Sequence, residues 1–389
     1  YFHKGIIHKV TRNIPLDKIN TIDLSQNLLN QLFHLSRVKI DTESISDIGS
    51  EIILLLKTDR AKTLQEALLK KSVSQEGSIE KGNTYSVSPM ELIRYSLLSN
   101  GLMETIFVLF ALHEHISSIA NLIGLNSDTY FDNILVTINR LLAFVGISLV
   151  MGFLIVLLRN IIRYTGFKVQ IEPDTLQISY GLFEKKKFSL KRQKIKGIHI
   201  KQSLLMQWFH KYSIEVESIG YGDEGDEKAV LYPYCNEELK KQIINELLPE
   251  IHHKNESIHG PPKKSLIHFI FFKVLAASIA AFMIAFIIGL IWLGIPLIIA
   301  AGAYGYMAYK NAAMGIENGL VYMSRGGFTK KQSYIYGHYI QSIGQSYNCF
   351  QKKRGICSYS VIIWGGLFKN IKVKHMENTL LESYVNYIN

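Results

Sequence analysis

A long uncharged stretch limits what this chain can fold into. No Asp, Glu, Lys or Arg occurs between Val274 and Tyr309, and apolar runs of 18 or more residues are typical of transmembrane helices. One helix of this length would measure about 54 Å, whereas the hydrocarbon core of a bilayer is about 30 Å thick. Gly294 and Pro296 are natural helix breakers. We therefore predict a transmembrane hairpin over residues 265–309, with a first helix from about Leu266 to Ile288.

A second uncharged run, from Leu141 to Leu158, predicts another membrane helix. It forms the second half of a predicted transmembrane pair over residues 91–158. The first helix of this pair carries Asn100 and Glu104, and the second carries Arg140. Because a charged side chain within a bilayer is costly, we expect Glu104 to face the interior of the bundle, towards Arg140, Asn100 or water.

The distribution of basic residues orients these helices. The loop over residues 113–133 has no Lys or Arg, whereas Arg94, Arg159 and Lys310 flank the opposite helix ends. Since cytoplasmic segments of membrane proteins are rich in Lys and Arg, we expect a multi-pass protein of the cell membrane with its soluble parts in the cytoplasm. The same rule accounts for the net charge of +11, so we predict no nucleic-acid partner.

Three soluble blocks remain, and each ends with a strand followed by an amphipathic helix. They cover residues 1–72, 159–252 and 310–389. Beside the membrane helices, residues 73–90 and 253–264 are predicted linkers. An Asp, Thr or Asn before the apolar pattern of each terminal helix is an ordinary helix start.

The first two blocks are copies of one unit. A gapless alignment from Gly5 on Gly181 to Thr42 on Ser218 has eleven identities in 38 positions, where unrelated segments would share about two. The third block aligns with small insertions. In the second block a further strand and a membrane helix precede Gly181, so we expect the native protein to have an additional strand and helix pair upstream of this chain.

One phrase stands out in the repeat: residues 22–33 read IDLSQNLLNQLF, and residues 198–209 read IHIKQSLLMQWF. The alternation at its start predicts a half-buried strand. Four apolar residues then lie on one side of a helical turn: Leu204, Leu205, Trp208 and Phe209. We predict that these residues form a packed plug between two strands, and that the Gln side chains bond to the backbone.

The combined pattern resembles the bacterial PH-like multi-pass membrane proteins of the YdbT type, which carry three such modules between paired transmembrane helices. Three features carry the resemblance: glycine-led openings at Gly5, Gly181 and Gly326; Ile-x-x-Ile strands at Ile19, Ile195 and Ile340; and Gln-led phrases at Gln26, Gln202 and Gln345. Family members usually have Gly where this chain has His34 and His210.

The resemblance implies a fold class of membrane α-helical pairs plus repeated PH-like β modules, each a bent seven-stranded sheet capped by a C-terminal helix. It also implies self-assembly or a smaller single-module PH-like membrane protein as partner, and a role in protecting the envelope against membrane-active peptides.

Two clusters of basic residues are candidates for binding anionic membrane lipid. The first comprises Lys185, Lys186, Lys187, Lys191, Arg192, Lys194 and Lys196, and the second comprises Lys330, Lys331, Lys352, Lys353 and Arg354. Each basic residue near an anionic membrane surface contributes about 1 kcal/mol of attraction. The alternative is a solvated cytoplasmic face without a specific ligand.

No motif for catalysis occurs in the chain: it lacks a glycine-rich phosphate loop, GxSxG and HExxH. Its three cysteines have no metal-binding spacing. We therefore expect no enzyme activity, no metal and no cofactor.

The leading hypothesis is a membrane scaffold whose modules mediate protein assembly or bind the lipid surface. The alternative is a transporter or exporter of a lipid or amphipathic peptide, with Glu104 in its path.

Overall fold

The computed structural model describes residues 2–4, 10–12, 15, 19–42, 51–70, 82–99, 150–218, 230–249, 258–288, 294–317, 319–363 and 370–378. Asn100, Glu104, Arg140 and Gly5 lie outside these residues, as does the predicted terminal helix of the third block.

The described elements follow the three blocks, which we call modules 1, 2 and 3. Module 1 contains β1 (Phe2–Lys4), β2 (Val10–Arg12), β3 (Ile19–Gln26), α1 (Leu28–Leu32), β4 (Leu35–Thr42), β5 (Glu51–Lys57) and α2 (Thr58–Lys70). Next come β6 (Asn83–Ser86), α3 (Pro89–Leu98) and a helix over residues 150–164, α4.

Module 2 continues with β7 (Lys168–Ile171), β8 (Thr175–Tyr180), β9 (Lys185–Lys191), β10 (Ile195–Gln202), α5 (Leu204–Trp208), β11 (Tyr212–Ser218), β12 (Val230–Cys235) and α6 (Glu237–Leu247). The hairpin helices are α7 (Leu266–Ile288) and α8 (Gly294–Asn311). Module 3 contains β13 (Ala313–Glu317), β14 (Leu320–Arg325), β15 (Lys330–Tyr336), β16 (Ile340–Ser346), α9 (Cys349–Lys353), β17 (Ile356–Ile363) and β18 (Asn370–Glu377).

The helix pairs are inserted within modules rather than between them. Strand β6, before α3, pairs antiparallel with β7, after α4, so that Asn83 lies opposite Ile171. In the same way His259, before α7, forms an antiparallel bridge with Met314, after α8. The linker predictions are therefore wrong where they cover β6 and His259. Because strand pairing holds the chain on both sides of each insertion, both ends of a helix pair are fixed to the same module.

The helix bounds predicted for α7 are confirmed, and α7 packs antiparallel on α8. A Cβ added to Gly294 would lie 2.7 Å from the Ala281 Cβ, and one added to Gly305 would lie 2.8 Å from the Phe269 carbonyl oxygen. Small residues at such positions let two helix backbones approach closely. Within the described residues, one helix, Lys263–Met283, is long and apolar enough to cross a membrane.

Two β-sheets run from one module into the next. A seven-stranded sheet has the order β5-β4-β3-β9-β8-β7-β6, and a six-stranded sheet has the order β12-β11-β10-β15-β14-β13. Modules 1 and 2 meet where β3 pairs with β9, and modules 2 and 3 meet where β10 pairs with β15. Strands β16, β17 and β18 form a separate sheet. The predicted seven-stranded sheet within each module is thus wrong, since the strands of a module are divided between two sheets.

The fully buried residues of the β-sheet cores, in contrast, group by module, and Tyr334 and Tyr336 of module 3 pack against the core of module 2. The core of module 2 combines Ile178 from its first half, Ile198 and Ile214 from its second half, and Ile243 of α6. A short 3₁₀ turn over Arg192–Lys194 separates the two halves of module 2, and an equivalent turn over Gly337–Tyr339 occurs in module 3. The two halves therefore face each other across a shared core that α6 closes, as the PH-like resemblance implies.

Strands β10 and β11 are buried on both faces, which contradicts the predicted half-buried strand. Among the polar residues, Lys196 is 1% exposed, His199 is 4% exposed and Glu217 is 7% exposed. Both strands lie inside the six-stranded sheet, and the polar side chains of Lys201 and Glu215 share a cavity of about 150 Å³ with residues of α3 and α4. The ends of α3 and α4, which belong to the predicted first membrane pair, thus cover a surface that the sequence predicts to face solvent.

A substitution in β3 tests the packing at the first junction. The side chain of Thr21 is fully buried, and its Oγ1 has no hydrogen-bond partner among the described residues. Replacing this hydroxyl by a methyl group in Thr21→Val keeps the shape and removes an unsatisfied polar atom, so we expect the free energy of unfolding to rise by about 1 kcal/mol. Thr63→Val is the control, because the exposed Thr63 hydroxyl donates to the Asp59 carbonyl oxygen. The measurement is thermal unfolding of the full chain in detergent. A lower Tm for Thr21→Val would contradict the expectation.

Candidate assembly and membrane-facing site

A five-residue helix follows the first strand of each C-terminal half-module. These helices are α1, α5 and α9. Each begins after a polar N-cap, and the side chains of Asn27, Ser203 and Asn348 accept hydrogen bonds from the backbone N–H three residues later at 2.8–3.2 Å. Such caps satisfy helix N–H groups that have no partner inside the helix. The recurring phrase is therefore a strand, a cap and a single short helix.

The turn after each short helix has a left-handed backbone residue. His34 has a φ of 54° and His210 has a φ of 52°, while Gly355 takes this position in module 3 with a φ of 61°. A non-glycine residue in this region costs about 1–2 kcal/mol. The turn is thus retained in all three modules, including the two that carry His where family members usually carry Gly.

Glutamines of the phrase bond to the backbone, as predicted. Within a module, Gln26 Nε2 donates to the Leu35 carbonyl oxygen at 3.0 Å, and Gln202 makes the equivalent bond to Lys211 at 3.0 Å. The second glutamine of the phrase reaches across the junction. Gln31 Nε2 donates to the carbonyl oxygen of Phe183 at 2.7 Å.

The second junction repeats this contact and extends it to the hairpin. Gln207 Nε2 donates to the Phe328 carbonyl oxygen at 3.0 Å. Asn311, the last residue of α8, donates from Nδ2 to Gln207 Oε1 at 3.1 Å and to the Gly326 carbonyl oxygen at 3.0 Å. One glutamine thus links module 2, module 3 and the end of a hairpin helix.

A buried polar network crosses the same junction. His199 on β10 contacts Ser333 Oγ on β15 through Nδ1 at 2.8 Å, and it contacts Glu217 Oε2 through Nε2 at 2.5 Å. Burial lowers the pKa of His199 more than the hydrogen bond to Glu217 raises it. Burial also lowers the pKa of Lys331, on β15, to about 8. The sequence gives only an indirect signal for this network, since alternating charged residues on strands usually face solvent.

The predicted plug is wrong, because most of its side chains are exposed. Trp208 is 77% exposed, Phe209 is 57% exposed and Leu204 is 43% exposed. The buried side chain of this helix is instead Met206, at 2% exposed. The matching residues of module 1 are exposed as well: Leu28, Leu29, Leu32 and Phe33. A helix of five residues can bury one side, and its larger apolar side chains lie on the other.

The short helices that carry these exposed apolar residues lie near α3, α4 and α7, which belong to the predicted membrane pairs. The Ser203 hydroxyl, which caps α5, donates to the carbonyl oxygen of Leu98 at the end of α3. The ring of Phe350 on α9 lies 6.3 Å from the ring of Phe272 on α7. Phe183, which accepts the bond from module 1, lines a cavity together with Leu158 of α4. Each short helix is therefore placed beside a helix of a predicted membrane pair.

The first lysine cluster does not form one patch. The seven residues of β9 separate Lys185 from Lys191 by about 20 Å. The Lys185 end adjoins the hairpin turn beside α4, whereas Arg192 donates to the Glu246 carbonyl oxygen at the C-terminus of α6. Lys196 is 1% exposed. The prediction that Lys196 binds lipid is therefore wrong, and lipid contact by the other six residues stays a prediction.

The second cluster is also divided. Lys352, Lys353 and Arg354 are exposed, and Arg354 Nη1 donates to the Lys264 carbonyl oxygen at 3.3 Å, beside the start of α7. Lys330 and Lys331 lie on β15, where burial lowers the pKa of both amines. The proposed intramembrane group of Asn100, Glu104 and Arg140 lies outside the described residues and stays a prediction.

Comparison with known proteins agrees with this architecture. The family model of the bacterial PH domain matches residues 1–72 and 129–250, which include module 1 and most of module 2. The chain belongs to the bacterial PH-domain family. It is also 22% identical over 387 residues to the transmembrane protein YdbT of Bacillus subtilis, an alignment that covers 92% of this chain and 77% of that protein. Module 3 lies outside the residues matched by the family model, but it repeats the strand order of module 2.

This PH-domain chain is accordingly a membrane-associated protein.

A substitution at Gln207 tests the second junction. Gln207→Ala removes the side-chain bonds to the Phe328 carbonyl oxygen and to Asn311 Nδ2. We expect the free energy of unfolding to fall by about 1–3 kcal/mol. This loss should be seen as a lower Tm and as faster hydrogen exchange in residues 326–331. Gln341→Ala is the control, since Gln341 is exposed. Unchanged exchange in the Gln207 variant would show that the glutamine does not hold the junction.

Proposed function

We propose that this protein is a non-enzymatic, multi-pass membrane scaffold whose cytoplasmic PH-like modules assemble through shared β-sheets at the bilayer surface. The observation that carries the proposal is that successive modules pair through equivalent strands. The first strand of the C-terminal half of one module pairs with the third strand of the next module. Strand β3 of module 1 takes β9 as its partner, and β10 of module 2 takes β15. Assembly by strand addition is therefore already the way in which modules of this chain bind one another.

The third module has the same strand with its outer edge open. Strand β16 pairs with β17, and no other strand of the described residues pairs with it. The bulge at its start corresponds to the bulges in β3 and β10, so Ser342 takes the position of Thr21 and Gly197. Thr21 and Gly197 are buried at their junctions, whereas Ser342 is exposed. An uncovered strand edge is a template for a further strand.

The partner that fits this edge is the third strand of another PH-like module, because β9 and β15 hold that place in the two junctions. A second copy of the chain offers such a strand in β2, whose described partner is β1. A smaller single-module PH-like protein offers the same strand. Protection of the envelope against membrane-active peptides would then be a function of the assembly.

The exposed residues of the short helices support contact with the lipid surface. Aromatic and leucine side chains beside transmembrane helix ends are typical of the membrane–water interface. Helix α5, which carries Trp208, begins beside the end of α3, and Phe350 lies beside α7. The alternative function, a transporter or exporter with Glu104 in its path, depends on residues outside the described part of the chain.

A charge on the β16 edge tests the assembly. Ser342→Lys places a long cation where the other junctions bury Thr21 and Gly197, and it leaves module 3 folded because Ser342 is exposed. Two differently tagged copies would be co-expressed with and without a single-module PH-like protein and purified in mild detergent. We expect recovery of the second tag, or of the small protein, to fall at least tenfold. Gln193→Lys adds the same charge at an exposed site on module 2 and should have no effect. A monodisperse single chain in the parent protein would contradict the proposal.

Membrane contact of the short helices is tested by fluorescence. The chain has three tryptophans, so Trp292→Phe with Trp364→Phe leaves Trp208 as the sole indole. We expect lipids brominated near the headgroup to quench Trp208 more strongly than lipids brominated near the chain end, since indole prefers the interface. Trp208 in the same protein held in detergent is the reference. Emission that is typical of full exposure to water and resists both quenchers would exclude membrane contact.

A further inference from the structure

A basic cavity lies between the membrane hairpin and module 3. Its volume is about 650 Å³, and it is lined by the first turns of α7, the last turns of α8 and the sheets of module 3. From the start of α7, Lys273 lies about 10 Å along the helix axis. The cavity therefore extends from module 3 along the first two turns of α7, where lipid headgroups would meet the end of this predicted membrane helix.

Positive charge dominates the lining. Five cations contribute to it: Lys273, Arg325, Lys331, Lys372 and Lys374. Among the described residues that line the cavity, none carries a carboxylate. Glu215 and Glu217 lower the positive potential at Lys331 from outside the cavity. Like charges gathered in a partly enclosed space favour a bound anion.

The Lys273 side chain, on the predicted membrane helix α7, directs its charge into the cavity. Its Nζ donates to the carbonyl oxygen of Phe269, one turn earlier, at 2.6 Å, and lies 5.3 Å from the centre of the Tyr304 ring. The amine is thus directed towards the start of α7 and the cavity rather than along the helix into the bilayer. Long basic side chains near helix ends commonly place their charge at the interface in this way.

Two histidines add polar groups without carboxylate partners. The side chain of His268 is 8% exposed and lines the cavity, and its Nδ1 has no hydrogen-bond partner among the described residues. His375 has a left-handed φ of 59° at a bulge in β18, where two residues lie opposite Ser358. Its ring lies 5.6 Å from that of His268. A strained residue and an unsatisfied polar atom at the same cavity are features of functional sites.

The Gln351 side chain fixes one of these histidines. Gln351 Nε2 donates to His375 Nδ1 at 2.9 Å and to Ser358 Oγ at 3.1 Å. With Nδ1 accepting this bond, the neutral ring carries its proton on Nε2. Burial and the neighbouring cations lower the pKa of His375 to about 4. The ring is therefore a neutral donor at physiological pH.

Apolar rings form the wall of the cavity on the membrane side. Phe269 is buried against His375, with ring centres 4.8 Å apart, while Phe272 is 47% exposed on the outer side of α7. A ligand in this cavity would meet cations at one end and aromatic rings open to the bilayer at the other. That combination matches an anionic headgroup attached to an acyl chain rather than a free ion.

We propose that this cavity binds the phosphate group of an anionic membrane phospholipid, with Lys273, Arg325 and Lys374 as its charge partners and the Phe272 side of α7 as the path of the acyl chains. The site differs from the two surface lysine clusters, because four of its five cations belong to neither. It is also independent of strand addition at β16, since Ser342 does not line the cavity.

Native mass spectrometry of the full chain, released from detergent, tests the proposal. The probes are phosphatidylglycerol, phosphatidylcholine and inorganic phosphate. We expect one phosphatidylglycerol to be retained at least tenfold more strongly than phosphatidylcholine. Lys273→Gln and Arg325→Gln should each weaken this retention at least tenfold. Lys62→Gln is the matched control, because Lys62 is an exposed cation on α2 that belongs to neither lysine cluster and does not line the cavity, and this variant should retain the lipid as the parent does.

Several outcomes would overturn the proposal. Equal retention of the two lipids would remove the role of the anionic headgroup, and retention of inorganic phosphate without phosphatidylglycerol would remove the lipid. Lys273→Met preserves the apolar stem in case Lys273→Gln disturbs α7, and it should weaken retention equally. A photoreactive phosphatidylglycerol should label residues 268–273 in the parent chain; labelling spread evenly over the hairpin would identify bulk lipid instead. Ser342→Lys should leave lipid retention unchanged, so failure of the assembly proposal is distinguishable from failure of this one.

Discussion

Strand pairing between successive modules is the constraint on which the rest of the structure depends. In modules 1 and 2, the first strand of the C-terminal half forms hydrogen bonds on both edges, with its own module on one side and with the next module on the other. Backbone hydrogen bonds of this kind need no particular side chain, but they require the two modules to meet in one register. The junction glutamines Gln31 and Gln207 lie at the end of that register and bond to the next hairpin turn.

The same pairing relates the membrane helices to the sheets. Each helix pair begins and ends next to paired strands of one module, through β6 with β7 and through His259 with Met314. A displacement between two modules therefore has to move the helix ends as well. This coupling explains why Glu215 is buried and Lys201 is partly buried, since both side chains lie under helix ends that the shared sheet holds in place.

Much of the architecture could be predicted from the sequence. The repeat with eleven identities in 38 positions located two modules, and the uncharged run gave the bounds of α7. The glutamine bonds to the backbone were also predictable, because Gln after a strand and before a capped helix has few other partners. These successes share a cause: each depends on contacts between residues that are close in sequence or belong to one core.

Two of the failed predictions concern whether a side chain is buried or exposed to solvent. The apolar residues Leu204, Trp208 and Phe209 were assigned to a plug because apolar residues are usually buried, whereas here they are exposed at a short helix that begins beside the end of α3. Lys196 was assigned to a lipid-binding cluster because lysines are usually exposed, but the shared sheet buries it. Periodicity tells which side chains share a face of an element, and it does not tell what covers that face.

The sequence by itself determined the modules: their number, their apolar cores and the short capped helix that recurs in each. Burial of apolar area is encoded by residue type and spacing, so a single chain carries that information along its length. Only the tertiary structure decided how the modules join, which strand edge stays open and where five cations gather beside α7. Edge hydrogen bonds come from the backbone, which is the same in every strand, and a cavity between module 3 and the hairpin exists only after the two have packed.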